Sequence, residues 1–224
     1  MRIPLIFLLS AAFVSTSYSS DVGIIQSFDD SIKKLQSGNK RYIDESLGSC
    51  KKSDAPRRLD IAKGQHPFAI VLSCSDSRVP PELIFDQGLG DLFVVRVAGN
   101  TVDPVILGSI EYAAEHLGAG LIVVLGHERC GAVTAAYDGG SSDMANIDSI
   151  VRRIAPAVKN VKARALGKER LQMIEDAIDE NVNLVADEIL KQSKVLKHLV
   201  EEKKVKIVKA KYDLDDGKVN FQGE

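Results

Sequence analysis

Neither sign of charge is in excess in these 224 residues: 29 Lys and Arg stand against 31 Asp and Glu, for a net charge of −2. Nucleic-acid binding leaves a basic footprint, so no nucleic-acid partner is expected. Long apolar runs are missing as well. The stretch from Ile3 to Val14 is too short to span a bilayer comfortably, and nothing later reaches that length. Cysteine is scarce, with Cys50, Cys74 and Cys130 only. An odd number cannot all pair within one chain, which excludes a complete disulfide framework. Tryptophan is absent, and there is no internal repeat and no low-complexity segment.

What is present is the composition of an ordinary globular protein, 45% hydrophobic and 27% charged, long enough for one domain with a sizeable core. The start differs from the rest. "MRIPLIFLLSAAFVSTSYSS" has an early Arg2, then the apolar run, then small polar residues. That is the three-part pattern of a secretory signal peptide, with cleavage expected near Ser19. The alternative is a buried first helix. No Cys follows the run, which argues against a lipid anchor. Residues 1–19 are therefore expected to be removed, and 20–224 to form a single exported, soluble catalytic domain. Export to an oxidising compartment sharpens the question of three cysteines. One is spare, or some are held as thiolates by a metal.

Ile24, Phe28, Ile32 and Leu35 recur at helical spacing, predicting a helix over 23–47 that "SGN" at 37–39 interrupts before a second short piece. "GSCKKSDAPRR" reads as loop. Phe68 to Leu72, Leu92 to Val97 and Leu121 to Leu125 are apolar runs suited to strands buried on both faces. Helical patterns lie between and after them: 104–117, Ala132 to Tyr137, 146–165 and 168–200, with Pro156 beginning or kinking a segment. An alternating strand, a "DDG" turn and a short return close the chain. The fold class expected is α/β: a central, mostly parallel β-sheet flanked by helices, with an N-terminal helical arm and a C-terminal edge strand.

In such sheets, sites form at the carboxyl ends of the strands. "LSCSDSRVPPE" puts Cys74, Asp76 and Arg78 just past one strand, and "GHERC" puts His127 and Cys130 just past another. Thiolates and an imidazole suit tetrahedral zinc, and three protein ligands leave one position open for water. Cys50, in a charged loop, is the only further Cys that could close the site, and a spare surface thiol is the plainer reading. A Cys74–Cys130 disulfide is the competing arrangement. Asp76 can reach either the metal, blocking the open position, or Arg78, whose guanidinium matches a carboxylate bidentately. His66, His116 and His198 receive no role. "GLGDLF" precedes its strand, so it is no dinucleotide fingerprint.

"CSDSR" followed about fifty residues later by "GHERCGA" resembles the β-class carbonic anhydrases. "GNKRY", "PPELIFDQGLGDLFVVRVAGN", "SIEYA" and "YDLDDGKV" are similar to that family too, so the resemblance covers nearly all of the chain after residue 20. It implies Cys74, His127 and Cys130 as ligands of one Zn2+ per subunit, with Asp76 and Arg78 as the catalytic dyad. It also implies a substrate pocket of Gln65, Phe93 and Tyr112, built partly by a second subunit in a homodimer or higher even oligomer. The activity implied is reversible hydration of carbon dioxide to bicarbonate and a proton, by hydroxide formed at zinc; the signal-like start adds the expectation of an exported, periplasmic enzyme. The alternatives kept are hydrolysis of CS2 or COS, and a non-catalytic zinc- or bicarbonate-binding protein. Two thiolates donate more charge than two imidazoles, so activity should rise into mildly alkaline pH. Members that sense bicarbonate carry Trp where this chain has Val71, so that switching is not expected, although Arg96 matches the Arg of that site.

Overall fold

The computed structural model of the chain describes residues 27–48, 53–140, 144–164 and 167–222. The signal-like segment and Cys50 lie outside them. Five strands form one sheet in the order β2-β1-β3-β4-β5, with β1 at Ala69–Ser73, β2 at Leu92–Arg96, β3 at Leu121–His127, β4 at Lys206–Tyr212 and β5 at Val219–Gln222. The first four pair in parallel, and β5 returns antiparallel on β4 as an edge. β1 and β3 are buried along their whole length, which is why Ala69 to Leu72 and Leu121 to Leu125 are continuously apolar.

Successive side chains of these strands point to opposite faces, so each face has its own core. Val71, Val123 and Leu125 pack with helices α1 (Phe28–Ile43), α6 (Ala145–Arg164) and the first half of α7 (Arg170–Gln192). Ile70, Leu72, Ile122 and Val124 pack with α4 (Pro104–Glu115), α8 (Lys194–Glu201) and the second half of α7. The remaining helices are α2 (Ala55–Ile61), α3 (Pro81–Ile84) and α5 (Gly131–Tyr137). No helix among the described residues is long and apolar enough to cross a membrane.

Three expectations about helices are corrected. α1 is not interrupted at 37–39. It runs through "SGN" because those residues form a contact surface: a Cβ on Gly38 would lie 1.8 Å from the Phe85 carbonyl oxygen. Asn39 donates to the carbonyls of Ile84 and Gly217 and accepts from Val219 N–H, tying α1 to the last turn of the chain. "DAPRR" is not loop but the start of α2, where the Asp54 side chain accepts from Arg57 N–H and Pro56 sits in the first turn. The pattern over 168–200 is two helices, because the chain breaks at Ser193, whose hydroxyl caps α8 by accepting from Leu196 N–H. Pro156 lies inside α6. β3 extends two residues beyond the expected Leu125 and ends on His127 itself.

Candidate metal centre

β1 and β3 are neighbours in register, Ser73 opposite Leu125, so the residues that follow them meet at one edge of the sheet. Cys74 comes directly after β1, His127 is the last residue of β3, and Cys130 is the residue before α5. Their ligand atoms all lie within 4.8 Å of one another, and the three residues are 4%, 1% and 2% exposed. Both cysteines are free, which removes the disulfide alternative. A second group at similar spacing, Glu128, Asp213 and Asp215, is partly exposed and has Arg129 paired with Asp215, so its charge is already answered.

The donor set suits a soft divalent ion. His127 Nδ1 lies 2.8 Å from the Glu128 carbonyl, which can only accept, so Nδ1 carries a proton and Nε2 presents its lone pair. Buried Nε2 has no hydrogen-bond partner among the described residues. A buried imidazole nitrogen oriented by a backbone carbonyl on its other side is the arrangement of a metal ligand. The thiols are matched as well. Hydrogen bonding from Cys130 pushes Cys74 down to about 4, burial opposes this, and the Gly99 and Asp76 N–H groups add to the lowering. The same pairing, with burial, pushes Cys130 up.

Asp76 sits beside this group, its Oδ2 3.9 Å from His127 Nε2. Its carboxylate lies in the fork of Arg78: Nε donates to Oδ1 at 2.9 Å, Nη2 to Oδ2 at 2.8 Å, and Arg78 N–H to Oδ1 at 3.0 Å. Arg78 holds the Asp76 carboxyl well below the usual carboxylate range.

The sequence reading missed Glu175 among the residues that shape the site, and gave Arg96 only as a match to the Arg of a bicarbonate-sensing site. Arg96, at the end of β2, donates from Nε to the Cys74 carbonyl at 2.9 Å and from Nη2 to the Asp76 carbonyl at 2.5 Å. It pins the backbone on both sides of Ser75. A charge ending an otherwise apolar strand beside β1 was the available signal. Glu128 N–H donates to the Tyr212 carbonyl and Arg129 N–H to Glu175 Oε1 at 2.9 Å, strapping the loop between His127 and Cys130. Arg129 needs that strap, since it is held at φ 50°.

The expected pocket residues lie on other elements. Phe93 in β2 and Tyr112 in α4 meet with ring centroids 6.4 Å apart, and Tyr112 is 48% exposed. Gln65 is exposed in the loop between α2 and β1. His116 stacks near Tyr112 and His198 pairs with Glu202, both on the surface. A cleft of about 530 Å³ lies on the α1 side, between Lys33, Arg41 and Asp86, and none of the metal-type residues lines it.

The family model described as carbonic anhydrase matches residues 69–219. Carbonic anhydrase 2 of Mycobacterium tuberculosis is 38% identical over 190 residues, 83% of this chain and 88% of that protein. A carbonic anhydrase of Mycolicibacterium smegmatis is 38% identical over 193 residues, 85% and 91% of the two chains. Among solved structures, the β-carbonic anhydrase CcaA superposes with a TM-score of 0.72 at 23% identity, covering 86% of this chain and 95% of that one. One from Sordaria macrospora, described as tetrameric, superposes with a TM-score of 0.68 at 23% identity over 87% and 98%.

Proposed function

The chain belongs to the β-class carbonic anhydrases, and from that premise we propose which of its residues carry the reaction. The enzyme is a zinc-dependent carbonate dehydratase that interconverts carbon dioxide and bicarbonate. Cys74, His127 and Cys130 hold the zinc, and the observation that carries this is the orphaned, pre-oriented Nε2 of His127 between two buried thiols. Zinc supplies Lewis acidity that makes water a nucleophile near neutral pH. Asp76 accepts a hydrogen bond from the attacking water and so aims it. Arg78 keeps that carboxylate ionised and held in its fork beside the metal position. Carbon dioxide is uncharged and apolar, so the surface that receives it is expected to be apolar, which suits Phe93 and Tyr112. X-ray absorption of the zinc-loaded enzyme tests the assignment: two sulfurs and one nitrogen from the protein support it. A carboxylate oxygen at every pH between 6 and 9 would overturn the role given to Asp76.

The working unit is a homodimer or a higher even oligomer. β2 is an edge strand with one neighbour, and its Leu92, Phe93 and Val94 are only half buried. Gln65, Phe93 and Tyr112 lie exposed or half-buried in one chain, as residues of a shared pocket would before a second copy covers them. Val94→Lys on the β2 edge is expected to give monomers with little activity in light scattering and stopped-flow assays. A fully active monomer overturns the pairing. The signal-like first 19 residues support export to the periplasm, and the N-terminal sequence of the exported protein tests the cleavage near Ser19.

A further inference from the structure

Helix α7 turns a nearly unbroken apolar face to the core, with Ala177, Ile178, Val182 and Val185 all buried. Asn181 interrupts it at 2% exposed. Asn is a poor residue for a helix interior, and an amide is costly to bury unless it is hydrogen-bonded. The bond it makes runs to the metal centre. Asn181 Nδ2 donates to the Gly99 carbonyl at 2.9 Å, and Gly99 N–H donates to Cys74 Sγ at 3.3 Å.

Gly99 joins the two bonds through one flexible residue. It stands at φ 68°, ψ 20°, in the 3-10 turn Ala98–Asn100 that follows β2. Glycine takes either sign of φ with similar ease, so nothing in its own chemistry keeps the N–H on the sulfur. A side chain cannot supply the stiffness either. A Cβ there would lie 2.6 Å from Ile154 Cδ1 and 3.2 Å from Ala132 Cβ. The stiffness has to come from outside the turn.

We propose that Asn181 is a positioning residue for the metal centre, anchoring the Gly99 carbonyl so that the Gly99 N–H stays on the Cys74 sulfur. An N–H···S bond draws charge from a thiolate and orients the lone pairs left for a metal, the kind of outer contact that tunes affinity. α7 thereby reaches both halves of the site, since Glu175 from the same helix holds the loop between His127 and Cys130. The proposal rests on Cys74 being a zinc ligand.

The test uses the full-length enzyme with Asn181→Leu, which keeps the branching and removes the donor, and Asn181→Asp, which keeps the shape and removes the amide. Zinc affinity is read by chelator competition, and the thiolate-to-cobalt charge-transfer band is read after loading with cobalt(II). The expected result is zinc bound about 10–100-fold more weakly, with a shifted band. Val185→Ala, buried on the same helix, is expected to lower the melting temperature and leave both readouts unchanged. Wild-type affinity and an unshifted band in either Asn181 variant overturn the proposal, as do equal shifts in Val185→Ala. Amide exchange in the wild-type enzyme serves if neither variant folds: a protected Gly99 N–H is expected, and exchange at open-loop rates overturns the proposal. Cys74→Ser separates the two readings. If it keeps wild-type zinc affinity, the ligand assignment itself is wrong; if it loses zinc while Asn181→Leu does not, only the positioning role is.

Discussion

Arg78 grips Asp76 with two parallel bonds, Nε to Oδ1 at 2.9 Å and Nη2 to Oδ2 at 2.8 Å, while Oδ2 remains 3.9 Å from His127 Nε2. The two residues are separated only by Ser77, so the fork is a local structure that needs no distant scaffold. It places a carboxylate beside the metal position and occupies both of its oxygens.

Asp76→Asn should therefore leave zinc in place and remove most of the turnover. The amide nitrogen would face a donor of Arg78, so the fork is lost along with the acceptor that aims the water. The expected result is a full zinc content by elemental analysis with a fall in kcat of about 100-fold or more, within the range assigned to general acid–base groups. Unchanged turnover would remove Asp76 from the mechanism.

Arg78→Lys should also be damaging, although it keeps the charge. A lysine is a point charge and cannot supply two parallel donors in a plane. The released carboxylate is then free to reach the metal position. X-ray absorption at pH 7 should gain an oxygen ligand from the protein, and activity should fall about tenfold or more. The same shell as wild type with unimpaired activity counts against the fork.

Zinc uptake should release about one proton from the thiol pair at pH 7, not two. Cys74 is pushed down to about 4, so it is already a thiolate, whereas Cys130 is pushed up and still holds its proton. Binding requires both as thiolates, so the thiol contribution to affinity strengthens with rising pH. Its slope steepens only as pH falls through the range where Cys74 also takes a proton. Titration calorimetry in buffers of different ionisation enthalpy counts the protons. Two from the thiols at pH 7 contradicts the assignment.

Gly38→Ala should destabilise the fold although alanine favours helix. Its Cβ would lie 1.8 Å from the Phe85 carbonyl, forcing α1 off α3. Overpacking of this kind costs about 1–3 kcal/mol, or roughly 5–10 °C in Tm at the upper end for a chain of this size. Gly108→Ala in α4 has open space around its Cβ and should leave Tm unchanged or raise it. A thermal melt of both variants checks the contrast, and equal effects would mean that helix propensity alone decides.

Much of the site was legible because its residues sit at strand ends. Ala69 to Leu72 and Leu121 to Leu125 are apolar throughout, so Cys74 and His127 stand out as the first reactive residues after each run, and Cys130 follows within one turn. The roles of the supporting residues were not legible. Arg96 and Glu175 act through backbone groups of the ligand segments, and Asn181 acts on Gly99, which in turn contacts a ligand. Such contacts depend on how β2 and α7 pack, and no local spacing encodes them. "SGN" in α1 misled for a related reason. Local propensity sees a helix breaker, whereas the fold uses the missing Cβ of Gly38 and the amide of Asn39 to bring α1 against Phe85 and Gly217.

The linear chain decided the chemistry: which ligand types are present, that they follow buried parallel strands, and that Asp76 and Arg78 lie close enough to pair. These follow from residue type and short-range spacing, which chain geometry alone converts into position. Only the folded chain decided the state of those groups. It turned Nδ1 of His127 onto a carbonyl and left Nε2 free, paired Cys74 with Cys130 so that one thiol is pushed down and the other up, and held the Gly99 N–H on a sulfur through an amide 82 residues away. Burial and hydrogen-bond direction are properties of the packed interior, and they exist only once distant segments have met.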